Sequence, residues 1–123
     1  MITIRSQPGR IEVTGHAYYA PRGFDVVCAA VSTLVHTLAE SLGDLAGGGV
    51  TWELQPGKAV FQYRDLSARE KLLIDSFFVG VRGVAGAYPD RVEIIWPGGT
   101  TAPQVDKSAG LQVNGGTFYD VQK

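Results

Sequence analysis

The sequence predicts an α+β fold: two layers in the order β-β-α-β-β-α-β, with two long helices packed on one face of a mostly antiparallel sheet. Three observations predict it. Apolar residues recur at helical spacing in two long segments. Each of these segments follows a pair of short alternating stretches joined by a Pro-Gly turn. A fifth short apolar stretch closes the pattern.

Ile2 and Ile4 alternate with polar neighbours, Gln7-Pro8-Gly9 turns the chain, and Ile11 and Val13 alternate back. In this second strand Ile11, Val13 and Gly15 share one face, while Glu12, Thr14 and His16 share the other. His16 therefore ends the strand pointing away from the densest core. Residues 17–24 read as a loop, because Pro21 and Gly23 resist regular structure. Asp25 then serves as N-cap or first-turn acid of a helix. Val27, Val31, Leu34, Leu38, Leu42 and Leu45 form its buried stripe, and Gly47-Gly48-Gly49 ends it.

In the second hairpin Val50, Trp52 and Leu54 alternate, Gln55-Pro56-Gly57-Lys58 turns, and Ala59, Phe61 and Tyr63 alternate back. Ser67-Ala68-Arg69-Glu70 has the form of a capping box, which starts a second helix. Ile74, Phe78, Val81, Ala85 and Tyr88 make one stripe and Leu73, Phe77, Gly80, Val84 and Ala87 another, a face wider than one sheet contact requires. Gly80, Gly83 and Gly86 lie inside this helix and each costs about 1 kcal/mol relative to Ala, so close helix packing or a dimer seam is expected to offset them. Pro89-Asp90 stops the helix, and Val92 to Trp96 gives the last strand. Residues 1–97 are expected to form the domain. Residues 98–123, opening with a Gly98-Gly99-Thr100-Thr101-Ala102-Pro103 linker, are expected to be a C-terminal extension, either a flexible tail or a short added hairpin.

The chain has 123 residues, 45% hydrophobic and 19% charged, which suits one domain with a real core. Its net charge of -1 and lack of a Lys/Arg tract argue against a nucleic-acid surface. The apolar run around the cysteine, Val26 to Val31, is far short of the roughly 20 residues of a membrane span. Met1-Ile2-Thr3-Ile4-Arg5 lacks the layout of a signal peptide. With a single thiol, the cytoplasm is the expected compartment and no membrane partner is expected. No spacing of His, Cys, Asp and Glu resembles a zinc site, and no cofactor is expected.

Cys28 is the only cysteine, so it has no internal disulfide partner. It lies three residues after Asp25, in the first turn of the expected helix. A helix N-terminus or a histidinium partner lowers a thiol pKa from about 8.5 by several units. The first-turn N–H groups are also candidates to hold an oxyanion. His16, at the end of the preceding strand, is placed to take the thiol proton and return it to a leaving amine. Asp25 either orients His16 or caps the helix, and Ser32 lies one turn beyond Cys28 on the same face. His36 is about 12 Å along the axis from Cys28, too far for direct proton transfer, and reads as a solvated helix residue. Free cysteines are among the most buried residues, so simple space-filling is the competing reading.

Gly15-His16-Ala17, the loop with Gly23, and Asp25-Val26-Val27-Cys28-Ala29-Ala30-Val31-Ser32 closely resemble the signature of the ribosomal-processing cysteine protease family, Prp. Phe78-Val79-Gly80-Val81-Arg82-Gly83-Val84-Ala85, followed by Tyr88-Pro89-Asp90, resembles that family's second helix and its exit. The similarity runs roughly from Met1 to Trp96. It implies an endopeptidase that trims the N-terminal extension of a bacterial large-subunit ribosomal protein, with phage relatives that process virion proteins. It also implies a homodimer, a Cys28 nucleophile, a His16 base, and Asp25 and Ser32 in supporting positions. The loop Ala17, Tyr18, Tyr19, Ala20, Pro21, Arg22, Gly23 and Phe24 would close over the peptide. Tyr18 stands where the family commonly has glycine, and the tail from Gly98 onward is outside the resemblance. Two rival functions fit the same residues: a non-catalytic dimeric peptide-binding module of the same fold, and a thiol redox sensor, which would lack a resolving cysteine.

Overall fold

The computed structural model describes residues 1–21 and 24–99. Strands β1 (Ile2–Gln7) and β2 (Arg10–Gly15) form the first hairpin, followed by helix α1 (Val26–Leu45). Strands β3 (Val50–Gln55) and β4 (Lys58–Tyr63) form the second, followed by α2 (Ala68–Ala87) and β5 (Val92–Ile95). One sheet results, in the order β3-β4-β2-β1-β5. Every neighbouring pair is antiparallel except β1 and β5, which run parallel after the α2 crossover. The element order and two-layer α+β arrangement are those expected from the sequence.

The register explains which face is buried. Ile4 stands opposite Val13, Ile11 opposite Phe61 and Val13 opposite Ala59, so the apolar members of three strands stack on the helix side. Ile4, Ile11 and Phe61 are fully enclosed there, with Val27 from α1, Val81 from α2 and Val92 from β5. Length and composition alone would let α1 cross a bilayer. Instead Val27, Val31, Val35, Leu38, Ala39 and Leu42 are buried in the core, as in the central helix of a globular domain.

This stripe is rotated from the expected one. Val35 and Ala39 face inward, Leu34 is only partly buried and Leu45 is 54% exposed. Leu34 turns toward the second helix, where a Cβ on Gly80 would come within 2.7 Å of its Cδ2. Gly80 therefore permits close approach of α1 and α2, while Gly83 and Gly86 face open space. The wide apolar face of α2 is explained by its two neighbours, the sheet and α1.

The caps behave as the sequence implies. Ser67 Oγ accepts from Glu70 N–H, and Glu70 Oε1 accepts from Ser67 N–H at 2.9 Å. Buried Glu70 also accepts the Gly49 N–H at 2.7 Å, which ties the α1–β3 connection to the start of α2. Its carboxyl is held below the usual carboxylate range by the Ser67 backbone and hydroxyl and the Gly49 N–H, against the opposing effect of burial. Just after β5, Trp96 and Gly99 exchange backbone hydrogen bonds of 2.7 and 3.0 Å. Of the expected extension only Gly98 and Gly99 are described, and the remainder lies outside the described residues.

Candidate active site

Asp25 organises the start of α1. Its Oδ1 accepts the N–H groups of Val27 and Cys28 at 3.0 and 2.9 Å, and its backbone carbonyl accepts that of Ala29. Its Oδ2 accepts the Tyr19 N–H at 3.0 Å. Asp25 therefore caps the helix and pins the preceding loop; it does not orient His16. Burial pushes its carboxyl up. The N–H groups of Cys28, Tyr19 and Ala20, with the nearby Cys28 thiol, outweigh this and hold it below its ordinary value. The cap also changes one expectation. The first-turn N–H groups of Val27, Cys28 and Ala29 are already engaged, so they do not stand free for an oxyanion.

The donor at the sulfur comes from the other side. Ala17 is 1% exposed, and its N–H donates to Cys28 Sγ at 3.3 Å. Cys28 itself is partly buried at the edge of the core, as expected from its offset from Val27 and Val31. Among the described residues the sulfur's hydrogen-bond partner is this amide rather than the imidazole.

His16 is placed by two glycines. Gly15 ends β2 with φ +95°, against the Met1 carbonyl, where a side chain would collide. Its N–H donates to the Gly57 carbonyl at 3.0 Å, fastening the strand end to the β3–β4 turn. Gly57, at φ +75°, lets the imidazole lie over that turn, because a Cβ there would come within 2.9 Å of Nε2. The ring of Tyr18 lies 5.8 Å from that of His16, centroid to centroid.

His16 and Cys28 line the same two openings. An inner cavity of about 220 Å³ runs from them past Ser32, Val35 and His36 to Leu54. A wider cleft of about 790 Å³ opens over them between Tyr18, Pro21 and Pro56. Ser32 is exposed and borders both. His36 is exposed, as expected, yet it also reaches the inner cavity. In the loop, Ala20 and Pro21 border the cleft, Tyr18 and Phe24 are 74% and 78% exposed, and Arg22 and Gly23 lie outside the described residues. Among the described residues no group of three or more His, Cys, Asp or Glu converges as metal ligands would.

Two features escaped the sequence reading. Ala17 matters through its backbone, which no side-chain pattern reveals. Arg91, next to the Pro89-Asp90 helix stop, reaches back to the loop and donates to the carbonyls of Ala17 and Tyr18 at 3.3 and 2.9 Å.

The family model of the cysteine protease Prp matches residues 1–93 of this chain. The chain belongs to the Prp cysteine protease family. The ribosomal processing cysteine protease Prp of Bacillus subtilis (strain 168) is 30% identical over 90 residues, covering 68% of this chain and 80% of that one. The crystal structure of S. aureus Prp with a covalently linked product peptide superposes with a TM-score of 0.73 at 18% identity, covering 79% of this chain and all of that one. The same S. aureus protease with a substrate peptide gives 0.66 at 14% identity, covering 78% and 97%. The Prp fold thus extends to this chain, and by family it is a cysteine protease.

Proposed function

We propose that Cys28 is the nucleophile and His16 the general base of an endopeptidase acting on the N-terminal extension of a bacterial ribosomal protein, or on a phage virion protein. The observation that carries this reading is the convergence of the two side chains on one cleft, with the Ala17 N–H directed at the sulfur. The relatives named as ribosomal processing proteases, one of them holding a peptide in two structures, support a peptide substrate.

His16 removes the thiol proton, and the sulfur electron pair attacks the scissile carbonyl carbon. The Ala17 N–H, which donates to the sulfur, stabilises the thiolate. The imidazolium donates its proton to the leaving amine as the C–N bond breaks, leaving a thioester on Cys28. Water, deprotonated by His16, then attacks the thioester, the C–S bond breaks and the thiol regains its proton. Asp25 supports this chemistry by fixing Cys28 and Tyr19, and Ser32 by bordering the cleft. Residues 17–24 form the loop over the peptide. No metal or organic cofactor takes part.

In this reading residues 1–97 are the protease domain, a second copy completes a homodimer, and the protein works in the cytoplasm, where its lone thiol stays reduced. The rival is a non-catalytic peptide-binding module, favoured by the absence of a thiol–imidazole hydrogen bond among the described residues. Catalytic hydrogen bonds are often loose before substrate binds, so that absence does not exclude the enzyme. Mass spectrometry of candidate ribosomal and virion proteins co-expressed with the wild type, Cys28→Ala or His16→Ala decides between them. The enzyme trims a protein only when both residues are intact; equal trimming by Cys28→Ala, or none by any form, contradicts it.

A further inference from the structure

We propose that Arg91 is a positioning residue for this site: its guanidinium holds the Ala17–Tyr18 segment so that the Ala17 N–H stays on the Cys28 sulfur. The inference rests on the assignment of Cys28 as nucleophile, and adds a residue from the far end of the domain.

Three observations carry it. First, one nitrogen, Arg91 Nη1, donates to two successive carbonyls, those of Ala17 and Tyr18. These two carbonyls follow directly on the amide that meets the sulfur. Second, Arg91 is itself firmly held. Its N–H donates to the Tyr88 carbonyl at 2.9 Å, and its carbonyl accepts the Ile2 N–H at 2.8 Å. Its guanidinium carbon stands 5.8 Å from the centre of the Tyr19 ring, which meets Tyr88 edge-on at 5.3 Å. Third, the held segment is strained. Tyr18 has φ +53°, the only positive value at a non-glycine position among the described residues. For a bulky side chain this conformation persists only when its surroundings impose it. Asp25 holds the segment from one side through the Tyr19 N–H, and Arg91 holds it from the other.

The electrostatic setting makes the hold consequential. Asp25 caps α1 on the Cys28 N–H, His16 shares the cleft from the end of β2, and His36 and Lys58 border the inner cavity from α1 and β4. A donor fixed at the sulfur favours its charged, nucleophilic form. Ala17 supplies that donor, and Arg91 supplies a positive charge behind it.

The test compares Arg91→Met, which keeps the stem against Tyr19, with Arg91→Lys, which keeps the charge. Two rates are measured: cleavage of a peptide substrate, and iodoacetamide alkylation of Cys28 at pH 7, which needs no peptide. Loss of one hydrogen bond to a charged group corresponds to roughly tenfold or more. In Arg91→Met both kcat and the alkylation rate should fall about tenfold, while KM changes less than about threefold. Arg91→Lys should recover most of both rates. Rates within twofold of wild type in Arg91→Met, or no recovery in Arg91→Lys, overturn the proposal. Should Arg91→Met fail to fold, NMR of the wild-type guanidinium decides: hindered rotation supports the hold and free rotation overturns it. Cys28→Ala in the same cleavage assay separates the two claims. If it still cuts, the nucleophile assignment fails, whereas an inactive Cys28→Ala beside an unaffected Arg91→Met removes only the role of Arg91.

Discussion

Replacing Gly57 by Ala should damage catalysis far more than folding. The new Cβ would stand 2.9 Å from His16 Nε2 and 3.4 Å from Cε1. Non-bonded contacts of this kind settle at about 3.5 Å or more, so the ring must retreat by roughly 0.6 Å. His16 is exposed, so it can swing away at little cost to stability. The remaining penalty is backbone strain at φ +75°. That strain costs about 1–2 kcal/mol, partly offset by the lower entropy of the unfolded alanine chain. The net loss is about 1 kcal/mol, or about 5 °C in Tm. If His16 is the general base, as proposed, a misplacement of this order costs about 10–100-fold in rate. The assay is hydrolysis of a fluorogenic peptide alongside thermal unfolding. Gly9→Ala is the control: it occupies the turn of the other hairpin at φ +74°, where a Cβ would come within 2.7 Å of the Tyr63 carbonyl oxygen and touch no functional group. It should lose at least as much stability as Gly57→Ala with kcat unchanged. A Gly57→Ala kcat within twofold of wild type, or an equal loss in Gly9→Ala, refutes the reasoning.

Further outcomes are expected. Asp25→Ala should lose about 1 kcal/mol as a deleted N-cap and release the loop, which calorimetry and proteolysis of residues 17–24 would register; an unaltered Tm contradicts the capping role. Asp25 and Glu70 both have carboxyls held below their ordinary values in the folded chain. Their stabilisation is therefore present above the unfolded-state pKa of about 4 and is lost as pH falls through the lower folded values. Wild type should accordingly lose stability below about pH 4 more steeply than Glu70→Gln, and parallel acid denaturation curves would argue otherwise. Gly83→Ala and Gly86→Ala, which face open space, should each stabilise the monomer by about 1 kcal/mol. Gly80→Ala should gain less, because its Cβ meets Leu34. Destabilisation at Gly83 or Gly86 would instead reveal a covering surface from a second copy.

Much of the architecture was legible because local patterns agree with one another. Alternation in Ile2–Val13 and Val50–Tyr63 marks both hairpins, and Asp25 and Ser67 mark both helix starts. That His16 and Cys28 line one cleft was legible for the same reason: one residue follows a strand and the other follows the cap of the next helix, with only a short loop between. The rotation of the α1 stripe was not, since Val35 and Leu34 are equally apolar and only the position of α2 decides which faces inward. Gly57 read as an ordinary turn residue, because its contact with His16 depends on β2 pairing with β4. Arg91 was hidden more deeply. It lies 74 residues from Ala17 and reaches it only because β5 pairs with β1. Tyr18 was visible as the residue after Gly15-His16-Ala17 where the resemblance implies a glycine, but its left-handed backbone at φ +53° was not, since no local pattern marks it.

In the proposed mechanism Cys28 forms a bond to the substrate acyl group with help from His16. Acid-quenched mixing of the protein with a cleavable peptide, followed by intact-mass and fragment analysis, tests it most directly. A transient acyl adduct should form on Cys28, be lost in Cys28→Ala and fail to accumulate in His16→Ala. Peptide cleavage with no adduct on that sulfur, persisting in Cys28→Ala, would contradict it.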